Sequence, residues 1–548
     1  MKNLFATMTL VWVSAAVMAF EAQTVSNPKN LTSRDYVNPV IYADYSDPDV
    51  TVSPDGKTYY MTASSFQCAP GLPILKSTDL VNWQLVNYAI DAVPPTVFYD
   101  AAPRHGKGVW APCIRQREGV YYIYWGDPDF GVFMVKTDNP EGKWSEPVMV
   151  KEGKGIIDPT PLWDEDGKVY LANGWAASRA GFNSVITVSE MNADGTAVTG
   201  NPVMVFDGND GVNHTVEGPK LYKRDGYYYM LAPAGGVATG WQLAMRSKNI
   251  YGPYESKIVM AQGNSNINGP HQGGLIDTPD GKSWFLHFQD MGPYGRVIHL
   301  NPVEWKEGWP VMGIDKDGDG CGEPVRRWKR PVEASGDVAY ITRQGSGLFE
   351  WHANYKDFYG FPNAQDGMRI YGHRLSEEFV NMWEVPNLWL AKFPAEAFTM
   401  TAKVKVSSKA NAEGAVSGLI VMGWDYCALG LAKHGDRFDV TLTECRDAEQ
   451  QVEETMQVVG SLNPTKVYEA GLVANMECVL WLRLQVGNGA VCRFSYSTDG
   501  KRWQKAGDSF NARAGKWIGA KAGFYSVMPA AVGDRGWIDV ETVDVEVD

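Results

Sequence analysis

Between about residue 38 and residue 325, apolar and polar positions alternate in short strand-like runs, and helical periodicity is almost absent. Pro and Gly punctuate these runs heavily. One unit recurs five times: an acidic residue and Gly, followed by aromatic or apolar strand residues. The copies are DGKTYYMTAS from Asp55, EGVYYIYWG from Glu118, DGKVYLANG from Asp166, DGYYYMLAP from Asp225 and DGKSWFLHF from Asp280, at intervals of 48 to 63 residues. An acidic residue and Gly between two strand-like runs predicts a hairpin, because Gly accepts the positive φ that twisted hairpin turns need. A third run follows each hairpin (PILKSTDL, VFMVKTDN, VITVSEMN, LAMRSKNI, VIHLNPVEW), then a turn and a further apolar segment. Four short strands per unit at this period predict a five-bladed β-propeller over residues 35–325.

The pattern changes further on. RRWKRPVEASG is basic and rich in breakers and reads as a linker, 326–344. From residue 345 to 548, runs such as NLWLAKF, FTMTAKVKV, SGLIVMGW, FDVTLTE and IDVETVDVEV are separated by turns every 8–15 residues without the blade repeat. That is the pattern of an antiparallel β-sandwich. The fold class expected is all-β, a propeller followed by a sandwich.

At 548 residues with 44% hydrophobic composition, the chain has ample material for several packed cores. A net charge of −14 argues against a nucleic-acid partner, since phosphate backbones call for the opposite balance. Residues 1–22 read as an export signal: Lys2, an apolar run from Leu4 to Val17, and small residues at Ala19 and Ala22. The run is too short to span a bilayer. The expected mature protein is soluble, exported to the periplasm or secreted, with no membrane insertion. Seven Cys over this length make no disulfide scaffold, and their spacing suggests no zinc site. Twenty Trp and 26 Tyr suit both an all-β core and the stacking of sugar rings.

Counting back from each hairpin turn gives the candidate chemistry. Asp47, Trp110, Asp158 and Glu217 each stand eight residues before their turn, and His271 stands nine before its own. Equivalent offsets place these side chains at the start of the innermost strand of five different blades, around one axis. A lone Asp-Pro, as at Asp47 and Asp158, is ordinarily a turn former, and Glu217 alone would pass as a loop acid. Three acids at one repeat offset, beside an aromatic and an imidazole, call for a use that offsets their repulsion. Glycosidic cleavage supplies one: one carboxyl group protonates the leaving oxygen, another acts on the opposite face, and a third raises the pKa of the acid. Spacing alone does not assign the three roles.

The segments YSDPDV, GVWAPCIR, IIDPTP, TVEGPKLYKRDGYYYML and YGRVIHLNPVEWKEGWP, in this order, resemble glycoside hydrolase family 43 over about residues 38 to 330. The resemblance implies an inverting enzyme of the β-xylosidase or α-L-arabinofuranosidase type. It makes Asp47 the general base, Glu217 the general acid and Asp158 the residue that tunes and orients the acid. It makes Arg296 and Trp110 substrate-binding residues. It also implies that His271 touches a hydrated cation, usually calcium, in the channel, and it implies no organic cofactor. The segments EWHANYKD and NLWLAKFPAEAFTMTAKVKV resemble the concanavalin-like domain appended to exo-enzymes of that family, for which buttressing the propeller is the expected role. DKDGDGCGEPVR from Asp315 opens like a calcium loop, but its twelfth position is Arg326 where a bidentate Glu belongs, so it reads as a turn-rich exit. The expected partner is a plant polysaccharide or oligosaccharide. A sugar-binding propeller without catalysis and an endo-acting arabinanase stand as alternatives. A structural propeller of the WD type would carry Gly-His and Trp-Asp signatures in each blade, and they do not recur from blade to blade here.

Overall fold

The computed structural model describes residues 22–30, 34–209, 211–332, 346–363 and 367–547. The expected export segment lies outside the described residues except for Ala22, as do residues 333–344 of the expected linker.

Five antiparallel sheets make the propeller, one of five strands and four of four. Their innermost strands are β1 (Asp49–Val52), β2 (Trp110–Arg117), β3 (Ile156–Trp163), β4 (Lys220–Arg224) and β5 (His271–Asp277). The five hairpin glycines, Gly56, Gly119, Gly167, Gly226 and Gly281, all have positive φ, between 72° and 86°. In blades two and four the preceding acid is also left-handed (Glu118 φ 52°, Asp225 φ 49°). Arg117 pairs with Val120 and Arg224 with Tyr227, which is the two-residue turn that right-twisted strands favour. Aromatic and aliphatic residues fill the wedges between blades, among them Trp83 and Phe288 between blades five and one, and Trp125 between blades one and two.

The ends of the propeller are sewn together. Residues 40–45 run beside β6 (Arg296–Lys306) of the last blade before entering β1, with Val40 N–H donating to Ile298 O (2.7 Å) and Tyr45 N–H to Arg296 O (3.0 Å). Asp35–Val37 pairs with Arg327–Lys329. The first residues of the expected linker are therefore a propeller strand, tied down further by Arg330 on Asp79 (2.8 Å).

The second domain is a sandwich of two eight-stranded sheets. Its strand β7 (Phe398–Lys409) buries Phe398, Met400, Ala402, Val404 and Val406 in the core and turns Thr399, Thr401, Lys403 and Lys405 outward. That alternation is the period-two pattern of a half-buried strand. The domains interlock. Ala69 and Trp351 exchange backbone hydrogen bonds, and the β-turn of blade five pushes Tyr294 into the sandwich core. Beside this contact, Glu350 is buried between Lys392 and Lys521 (2.6 Å to Lys521).

Candidate active site

Within two residues of the start of each innermost strand stands a residue in left-handed conformation. These residues are Asp47 (φ 56°), Ala111 (φ 29°), Asp158 (φ 56°), Gly218 (φ 59°) and Gln272 (φ 38°). In β2, β3 and β5 the same stretch breaks the ladder register. Such bulges turn a side chain off the strand and toward the strand end. In blades one and three the turned residue is the acid itself. In blades two, four and five it follows Trp110, Glu217 and His271. Non-glycine residues held in this region cost of order 1 kcal/mol or more each, and such strain concentrates at functional sites. Gly218 cannot be replaced without a clash, because a Cβ there would lie 2.4 Å from the Gln272 amide.

The three acids meet at one end of the channel. Asp158 is 3% exposed, and its Oδ2 accepts the Gly218 N–H at 2.7 Å, beside Glu217. Burial raises the Asp158 carboxyl well above its usual range, and the charges of Glu217 and then Asp47 add to the rise; the Gly218 N–H and the Lys220 ammonium oppose it. The Asp158 carboxyl therefore keeps its proton to higher pH than an exposed carboxyl would. Asp47 Oδ2 accepts from the Ser64 hydroxyl (2.6 Å), whose oxygen in turn accepts the Ala111 N–H (2.8 Å). Asp47 Oδ1 lies 3.6 Å from Arg296 Nη1. Glu217 Oε1 lies 3.0 Å from His271 Nε2, and its side chain is partly exposed to the channel mouth. Every acid expected from the repeat offset is thus in the cluster, and Arg296, buried to 7% exposure, is no surface ion pair.

The mouth is aromatic. Trp110 donates its Nε1–H to Gly106 O (2.9 Å) and meets Trp517 edge to face at 6.3 Å. Arg296 lies between the Phe288 ring (4.8 Å) and the Trp517 ring (5.9 Å). Trp517 comes from the sandwich, is 49% exposed, and stands in left-handed backbone (φ 64°) above Gly106. No repeat offset points to Trp517 or to Ser64. Trp517 sits in a domain without blades, and Ser64 reads as an ordinary strand-end serine.

The donors in the channel suit a cation poorly. Calcium takes six to eight oxygens. His271 spends Nε2 on Glu217 and has only Nδ1 left, while Arg115, paired with Asp49 at 2.6 Å, and the buried Lys220 ammonium bring positive charge to the same inner strands. Among the described residues, the one group of acids spaced to hold a metal is Asp315, Asp317 and Asp319, in the turn-rich exit, where Asp315 already pairs with Lys306 (3.0 Å). No helix among the described residues is long and apolar enough to cross a membrane.

Residues 36–310 match the profile of glycosyl hydrolases family 43, and residues 346–546 that of the beta xylosidase C-terminal concanavalin A-like domain. A putative beta-xylosidase of Xylanibacter ruminicola is 35% identical over 483 residues, 87% of this chain and 84% of the relative. A non-reducing end alpha-L-arabinofuranosidase of Bacteroides ovatus is 31% identical over 307 residues, 52% of this chain and 55% of the relative. A crystal structure of a GH43 protein from Bacillus licheniformis superposes with a TM-score of 0.76 at 23% identity, covering 94% of this chain and all of the other, a likeness of fold.

Proposed function

The chain belongs to glycosyl hydrolase family 43, and from that premise we propose that it releases xylose or arabinose, with inversion, from the non-reducing ends of plant cell-wall polysaccharide or its oligosaccharides. It is an exo-acting glycosidase of the xylosidase/arabinofuranosidase kind. The observation that carries the mechanism is the convergence of Asp47, Asp158 and Glu217, from three blades, under an aromatic mouth to which the sandwich contributes Trp517. A mouth walled on that side suits a chain end better than a passing chain, which supports exo over endo action.

In the proposed mechanism the terminal sugar enters against Trp110 and Trp517, with Arg296 reaching its hydroxyls. Glu217 donates a proton to the leaving oxygen. His271 and the Gly218–Asp158 contact fix its orientation. Asp47, held by Ser64, accepts a proton from the attacking water on the opposite face. As Glu217 gives up its proton, negative charge develops on its carboxylate, and Asp158 is the neighbour positioned to take up the altered proton balance. An inverting site keeps its acid and base about 6.5–9.5 Å apart so that the water fits between them. The expected channel calcium has no step here, because the donor set around His271 does not favour it. Export by the Lys2–Ala22 segment fits a polymeric substrate that cannot enter the cell.

The test is release of 4-nitrophenol from its β-D-xylopyranoside and α-L-arabinofuranoside by wild type, Glu217→Ala and Asp47→Ala. Loss of about 10²–10⁴-fold in both variants is the expected result, and the preferred glycoside names the sugar. A wild type that binds xylan and arabinan oligosaccharides yet cleaves none of these compounds would return the protein to the class of sugar-binding propellers.

A further inference from the structure

Three residues before Asp47 stands a carboxylate with no role in the steps above. Asp44 is 5% exposed, and both its oxygens are engaged by backbone N–H groups from different domains. Oδ1 accepts from Arg296 at 2.9 Å, at the start of β6 in the last blade, and Oδ2 accepts from Gly519 at 2.9 Å, two residues after Trp517 in the sandwich. The surroundings are built to bring these backbones together. A Cβ on Gly295 would lie 2.4 Å from Asp44 Cγ, and a Cβ on Gly519 would lie 2.7 Å from Gly295 N. Alongside, Ala520 N–H donates to Pro293 O (2.7 Å), and Ala490 N–H donates to the Tyr294 hydroxyl (2.8 Å). Charge-assisted hydrogen bonds of this kind are about twice as strong as neutral ones and fix direction as well as distance.

We propose that Asp44 is a positioning residue that fastens the Trp517 loop of the sandwich and the Arg296 strand of the propeller into one wall of the substrate pocket. The sandwich is then part of the active site as well as its buttress, and the four-residue segment from Asp44 to Asp47 sets both the pocket wall and the proposed base. The inference rests on the reading that this mouth receives the substrate. Its mode of failure is separate: a wrong function leaves wild type inert, whereas a wrong role for Asp44 leaves wild type active.

A double-mutant cycle tests it, using Asp44→Asn, Trp517→Ala and the pair, with steady-state kinetics on β-1,4-xylotriose or on whichever nitrophenyl glycoside wild type cleaves. Asn presents an N–H₂ where one of the two donors needs an acceptor. Asp44→Asn is expected to lower kcat/KM at least tenfold, mostly through KM, and to cost less than threefold once Trp517 is gone. Asp44→Ala removes both acceptors without adding volume against Gly295, so it serves should Asp44→Asn be unstable, and it must show the same dependence on Trp517. Equal losses with and without Trp517, or a kcat/KM within twofold of wild type, would overturn the proposal.

Discussion

Asp158 illustrates how the site trades stability for function. Its carboxyl is raised by burial and by two neighbouring carboxylates, so above its unfolded pKa the native state binds the extra proton and loses stability as pH rises toward the folded pKa. Asp158→Asn removes that penalty. The variant is expected to melt about 2–4 °C above wild type at pH 7, with the gap closing below pH ~4, while activity falls sharply; parallel melting scans at the two pH values check this. Glu217→Gln should be selective in another way. A nitrophenolate leaves without a proton and a xylose hydroxyl does not, so the loss on xylobiose should exceed the loss on the nitrophenyl glycoside by about tenfold or more. Equal losses on both would contradict the role of Glu217 as proton donor. At this scale the sequence was highly legible. Asp47, Asp158, Glu217 and His271 were found because the blade repeat turns position in the chain into position around an axis. Asp44 and Ser64 were hidden because their roles depend on backbone N–H groups from distant segments, which leave no mark in residue type.

Among the elements, the Asp/Glu-Gly hairpins were readable because their glycines need positive φ, and all five have it. The strand β7 was readable from its alternation. What the pattern did not show is that each innermost strand has a left-handed residue within two residues of its start, because Asp, Ala and Gln there contradict local preference and are held by the bulge around them. The closing pairs Asp35–Val37 with Arg327–Lys329 were also missed, since a basic, breaker-rich segment carries no strand signal of its own. Gly295 tests the turn that joins the two domains. It has φ 76° and no room for a Cβ against Asp44, so Gly295→Ala should destabilise the protein by about 1–3 kcal/mol and raise KM. A denaturant titration beside a KM measurement would separate these effects, and an unchanged KM would mean that this turn does not shape the pocket.

Across the whole molecule, two domains share one candidate site and one buried charge cluster. Glu350, between Lys392 and Lys521, has its pKa lowered to about 2; burial works against this, but the two lysines outweigh it. A carboxylate depressed in the folded state contributes stability above its unfolded pKa, here about 4.5, and that contribution is lost as pH falls toward 2. Glu350→Gln strands the buried Lys521 ammonium and the half-buried Lys392 and should cost about 3–5 kcal/mol at pH 7, with much less difference from wild type near pH 2, as chemical denaturation at both pH values would reveal. The sandwich fold itself was legible, but its share in the site was not, since Trp517 lies 470 positions from Asp47 in the chain and reaches Arg296 at the mouth only through the docking of the domains. The proposed hydrolysis turns on a water activated by Asp47 attacking opposite a proton from Glu217. Proton NMR of β-1,4-xylotriose, or of the arabinofuranosyl substrate if that is preferred, followed from the first minutes of hydrolysis, tests this most directly. The first sugar released is expected to come from the non-reducing end with its anomeric configuration inverted, α-xylose from a β-xyloside. Initial release with retained configuration would contradict it, because retention requires one of these carboxylates to bond to the sugar instead of activating water.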